Sequence, residues 1–154
     1  MAMIGYVLKR ILMVLVGYLI AVLVGLIAVA ALYATLSSLP NAPAYFELME
    51  FTPVAVLAVP PLGMFVYFLT IILTGMQALV FALIAEFFSL RSFWLHIPFG
   101  AAAAAAGFML IWPDAADDPQ RLADMGIIAG AGLVAGLIYW LIAGRDAGFR
   151  RPLA

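Results

Sequence analysis

Four apolar runs dominate this chain: Ile11 to about Ser37, about Val54 to Phe88, Phe93 to Trp112, and Met125 to Ala143. Backbone amides in hydrocarbon have no water to bond, so a segment crossing a bilayer must satisfy them internally, which an α-helix does. At about 1.5 Å per residue, roughly 20 apolar residues cross a core of about 30 Å. The chain is 68% hydrophobic and only 10% charged, against about 25% charged residues in soluble domains, so it lacks the polar surface to coat a water-soluble fold. The expected fold is all-α: an integral membrane four-helix transmembrane bundle forming a single domain, 1–154.

The expected helices cover about 11–37, 61–88, 93–112 and 125–143. Outer loops fall at 38–60 and 113–124, a turn at 87–92 and a tail at 144–154. Pro60-Pro61 interrupts the second run. Proline lacks an N–H and is best tolerated where a helix begins, so helix 2 starts near Pro61. This leaves 51–60 either interfacial or part of a Pro-kinked helix capped by Thr52. Ser92 is a suitable N-cap for helix 3. Trp94 and Trp112, about 27 Å apart along a helix, match the two interfacial belts where tryptophan anchors.

With four crossings, both termini and the 87–92 turn share one side, which carries Lys9, Arg10, Arg91, Arg145, Arg150 and Arg151. Only Arg121 lies opposite. Basic residues concentrate on the cytoplasmic side, so both termini are expected to be cytoplasmic, in a bacterial inner membrane. Lys9-Arg10, the apolar stretch and Ala28-Val29-Ala30 also resemble a cleavable signal sequence, but that apolar stretch exceeds the usual length of roughly 7–15 residues. The tail GRDAGFRRPLA suits a helix end followed by a cationic segment on an anionic leaflet.

Helices in lipid associate by close backbone approach, which small residues permit. GAAAAAAG, from Gly100 to Gly107, marks such a seam on helix 3. Helix 4 carries two Gly-x-x-x-Gly pairs, Gly126/Gly130 and Gly132/Gly136, on different faces. It is therefore expected to be gripped on two sides, by a neighbour in the same chain and by a second neighbour or subunit.

Two polar groupings are candidates for function. Tyr67, Thr70, Thr74 and Gln77 recur at intervals of three, four and three, and share one face of helix 2. They would line a polar path, or else the threonines bond back to their own i−4 carbonyls while Tyr67 and Gln77 bond a neighbouring helix. The second grouping is an interfacial cluster at the cytoplasmic end: Glu86, Arg91 and the lone His96, with Arg145 and Asp146. It would bind anionic lipid or respond to pH through the imidazole, unless it is a solvated turn.

No catalytic constellation is visible. Cysteine is absent and net charge is −1, so neither thiolate chemistry nor attraction to nucleic acid is argued. Nor is there a metal-binding pattern or a cofactor motif. The expected partners are the lipid bilayer and, through the glycine faces, a second copy or a larger membrane complex. Two functional readings remain open: a non-enzymatic structural or accessory component, and a small transporter or channel using the helix-2 stripe.

Overall fold

The computed structural model describes residues 2–38 and 60–148. Four long helices occur in order: α1 (Ala2–Ser37), α2 (Pro60–Phe88), α3 (Phe93–Ile111) and α4 (Pro119–Ile142), with a 3-10 turn at Gly144–Asp146. All four are long and apolar enough to cross a membrane. The chain is thus an all-helical, multi-pass membrane protein. The expectation for 51–59, interfacial or Pro-kinked, lies outside the described residues.

Two helix starts differ from expectation. α1 begins at Ala2 and not at Ile11, because the residues before Lys9 contain no proline and are mostly apolar, and Lys9-Arg10, both good helix formers, do not interrupt the helix. α4 begins at Pro119 and not at Met125. There Asp118 is the N-cap, its carboxylate accepting from the Gln120 N–H, with Pro119 in the first position where its missing N–H costs nothing. Six residues expected in a loop, Asp124 among them, are therefore helical.

The α2–α3 turn is short because Ser89 adopts a left-handed conformation, φ 53°. The Leu90 N–H then reaches back to the Ala85 carbonyl at 2.8 Å, the closure normally given to glycine at a helix end. Ser92 begins α3 in an extended conformation, but its side chain makes no cap bond.

α4 is the centre of the bundle. On one side α3 lies against it with the backbones in contact: a Cβ on Gly100 would fall 2.8 Å from the Gly136 N and Cα, and one on Gly132 2.8 Å from Ala104 Cβ. On the other side α1 packs on an alanine row, with a Cβ on Gly25 at 3.2 Å from Ala135 and one on Gly17 at 3.2 Å from Ala143. Both grips on α4 are thus within the chain. Gly132/Gly136 supplies the first, and the second comes from Ala131, Ala135 and Ala143 where Gly126/Gly130 was expected. Gly126 has nothing within 4 Å, and Gly130 meets only Leu32 at 3.9 Å.

α2 stands apart from this three-helix core. It is fixed at separated points: Tyr67 and Tyr18 hydroxyls bridge it to α1, Gly107 approaches Thr74, and Phe81 stacks on Phe99 at 3.9 Å. Its outer face is given to lipid, with Ile72 74% and Met76 71% exposed. Between the points of contact lies a cleft of about 660 Å³, lined from all four helices.

Candidate functional site

The described ends of the chain meet at one end of the bundle, and there lie the buried charges Arg10 and Glu86. Arg10 on α1 and Glu86 on α2 form an ion pair at 2.6 Å, each side chain only 5% exposed. Arg10 Nε donates to Glu86 Oε1 at 2.7 Å, and Nη2 also donates to the Ala143 carbonyl at the end of α4. The other carboxylate oxygen, Oε2, accepts from the Gly148 N–H at 2.7 Å. A buried ion pair is tolerable only when its remaining donors and acceptors are used, and here the polypeptide end supplies them.

Around this pair the segment 143–148 is wedged into the α2–α3 turn. The Tyr6 hydroxyl donates to the Gly148 carbonyl at 3.2 Å, Arg91 Nε to the Ala147 carbonyl at 3.0 Å, and Trp140 Nε1 to the Arg91 carbonyl at 2.7 Å. Ala143 and Ala147 are buried. As far as Gly148, this tail is a packed structural element.

His96 sits one layer inward and is 1% exposed. Its Nδ1 lies 2.9 Å from the Ser92 carbonyl, which only accepts, so Nδ1 carries the proton in the neutral ring. Nε2 is buried with no hydrogen-bond partner among the described residues. The ring fits because Gly144 has no side chain: a Cβ there would lie 2.8 Å from Nε2. Phe81 meets the ring edge-on at 5.1 Å, and Tyr139 stacks on it at 5.8 Å.

Of the five residues expected as an interfacial cluster, the structure joins Glu86, Arg91 and His96 around one tail segment, but not by direct pairing. Glu86 takes Arg10 and not Arg91. Arg145 and Asp146 stand outside, paired with each other at 3.6 Å and 61% and 64% exposed. Arg10 was missed because its position beside an apolar run reads as a topogenic flank. The available signal was the apolar stretch before it, which puts Arg10 inside a helix.

The helix-2 stripe is closed. Thr70 and Thr74 donate to their own i−4 carbonyls, Val66 and Thr70, both at 2.8 Å. Tyr67 donates to the Leu19 carbonyl on α1 at 3.0 Å, and Tyr18 to the Ile71 carbonyl at 3.0 Å with Thr74 Oγ1 2.9 Å away. Gln77 does not bond a neighbouring helix through its carbonyl oxygen, which is buried without a partner.

At the opposite end, Tyr33 donates to buried Asp124, joining α1 to the start of α4. Arg121 lies over the Trp112 ring, 4.4 Å from its centroid, and 3.4 Å from Asp118. Sequence reading missed the Tyr33–Asp124 pair because it put Asp124 in a loop; the Asp118-Pro119 start signal was present.

These features define a class: a polytopic helical membrane protein whose buried charges and hydroxyls bond one helix to another. Comparison with protein families, with curated proteins and with solved structures found no match to this chain.

Proposed function

We propose that this chain is a non-enzymatic structural or accessory protein of the bacterial inner membrane, with both termini cytoplasmic, that assembles with itself or with a larger membrane complex. The observation carrying this reading is the closure of its polar groups. Arg10, Glu86, Tyr67, Thr70 and Thr74 are engaged in joining or satisfying helices, so the residues best suited to a polar path are already used. The basic residues Lys9, Arg10, Arg91 and Arg145 share the end where the described ends of the chain meet, which supports a cytoplasmic assignment of that end.

Within this reading the assembling surface is the Gly126/Gly130 face of α4, on which little of the chain packs. Purification from native membranes with the wild type and a Gly126→Ile, Gly130→Ile variant tests it. A stoichiometric partner or second copy, lost in the variant with the fold intact, is the expected result. Equal recovery from both, or a monomer throughout, refutes assembly by this face.

A further inference from the structure

The cleft between α2 and the three-helix core has dimensions of its own. Its lining runs along α1 from Arg10 to Val29 and along α2 from Val66 to Glu86, about 28–30 Å at 1.5 Å per residue. Spread over that length, about 660 Å³ open to the centres of water-sized spheres is a section of roughly 23 Å², or roughly 50 Å² once a sphere radius of about 1.4 Å is added all round. A helix about 10 Å across needs roughly 80 Å², so no transmembrane helix of a partner fits. An extended hydrocarbon chain does.

The walls also decide against water. They are apolar over almost their whole length, and an apolar cavity stays dry unless an apolar molecule enters it. The cleft is partly open, and a membrane-spanning bundle is surrounded by lipid. Its charged residues and its histidine gather at one end, where Arg10, Glu86, His96 and Tyr139 line it, while Tyr18, Thr70 and Thr74 farther along have their hydroxyls bonded to backbone carbonyls. Around that end stand three exposed basic side chains, Lys9, Arg91 and Arg145, against one exposed acid, Asp146. Two positive charges remain uncompensated there among the described residues, where a headgroup would lie.

We infer that the cleft is a binding site for an anionic glycerophospholipid, one acyl chain running between α2 and the core and the phosphate resting over Lys9, Arg91 and Arg145. The inference goes beyond the accessory reading and depends only on residence in a bilayer. Chain and headgroup are tested by different substitutions. Ala78→Phe on α2 fills the cleft; Lys9→Gln with Arg145→Gln removes charge from side chains that hold no part of the fold.

The full-length protein is reconstituted in vesicles of phosphatidylethanolamine with one quarter phosphatidylglycerol, extracted in mild detergent and weighed by native mass spectrometry. One phosphatidylglycerol retained per chain is expected, with the ratio of phosphatidylglycerol to phosphatidylethanolamine among retained lipids about fivefold or more above the ratio in the vesicle, since each basic residue near an anionic headgroup adds appreciably to binding. Ala78→Phe should abolish retention, and the double charge variant should remove the enrichment while leaving unselective retention. A photoactivatable phosphatidylglycerol labelled in its chain should crosslink the wild type at cleft residues such as Ala78 more than at lipid-facing Ile72. Retention of no lipid overturns the proposal, as does retention of the two headgroups by the wild type in the same proportion as in the vesicle. So does crosslinking no stronger at Ala78 than at Ile72. If Ala78→Phe does not fold, the charge variant and the crosslinking pattern still decide.

Discussion

Gly148 and Ser89 meet with their backbones both at positive φ, 128° and 53°, so close that a Cβ on Gly148 would lie 2.5 Å from Ser89 Oγ. The same Gly148 carries the N–H by which the tail bonds Glu86. Gly148→Ala should therefore cost about 1–3 kcal/mol from backbone strain alone, before the collision is counted. Ser89→Gly should be neutral or stabilising by itself, because glycine accepts the left-handed conformation without penalty. In the Gly148→Ala background it should restore part of the loss, by removing the struck side chain. Denaturation of the four proteins in one detergent checks this, and strict additivity would show that the residues do not touch.

Arg10 and Glu86 make a second cycle. Removing either partner leaves a buried charge unpaired, so Arg10→Ala and Glu86→Ala should each destabilise by about 3–5 kcal/mol. Arg10→Met with Glu86→Leu keeps volume and leaves no lone charge, so it should lose much less than the two single effects combined. Recovery should be incomplete, because Gly148 N–H and the Ala143 carbonyl lose their partners as well. Equilibrium unfolding of the single and double variants measures the coupling, and a coupling near zero would contradict the pair.

How far the sequence was readable depends on the range of each force. Four apolar runs and Pro60-Pro61 are local, and they placed four helices with α2 and α3 within a residue or so of their observed ends. Gly132/Gly136 as a packing seam was readable for the same reason. Which charge Glu86 chooses is not local: Arg10 is 76 residues away, and only the packing of α1 against α2 brings it near. The alanine row of α4 was hidden because Ala131 and Ala135, four residues apart like each glycine pair, sit directly beside the more conspicuous Gly130, Gly132 and Gly136. The Tyr33–Asp124 contact required the α4 start first, so one misplaced boundary concealed a long-range bond.

Two glycines on one helix should behave oppositely. Gly132→Ile would drive a side chain into the α3 backbone, where even a Cβ lies 2.9 Å from the Ala101 Cα, and should unfold or open the bundle, a loss of several kcal/mol by overpacking. A Cβ on Gly126 meets nothing within 4 Å among the described residues, so Gly126→Ile should leave monomer stability within about 0.5 kcal/mol or raise it slightly, since isoleucine is the better helix former. Thermal unfolding in detergent separates them. Equal damage from the two would place Gly126 in an interface that the isolated chain does not display.

Asp118 caps α4 just ahead of Pro119, with Arg121 3.4 Å from its other carboxylate oxygen. Asp118→Ala should cost about 1 kcal/mol through the lost cap, and Asp118→Asn should recover most of it because the cap bond needs only a side-chain oxygen. If Asn were as poor as Ala, the exposed Arg121 pair would be the important contact, against the small value expected for surface ion pairs. Hydrogen exchange at the first turn of α4 gives the local reading.

The helix-2 stripe gives the sharpest contrast between a path and a packing surface. Thr70 and Thr74 direct their hydroxyl protons to their own helix, so valine at either position removes a bond that the carbonyl can forgo, since it still accepts from the helix ladder. Thr70→Val and Thr74→Val should each change stability by no more than about 1 kcal/mol. Tyr67→Phe differs: its hydroxyl is the tie between α2 and the Leu19 carbonyl, and its loss should let α2 move from α1. The sign is readable by spin labels placed on the two helices, whose separation should widen or broaden in Tyr67→Phe and stay fixed in both threonine variants. A stripe that conducted would respond the other way, with flux through reconstituted vesicles falling most when Thr70 or Thr74 becomes apolar while helix separation holds.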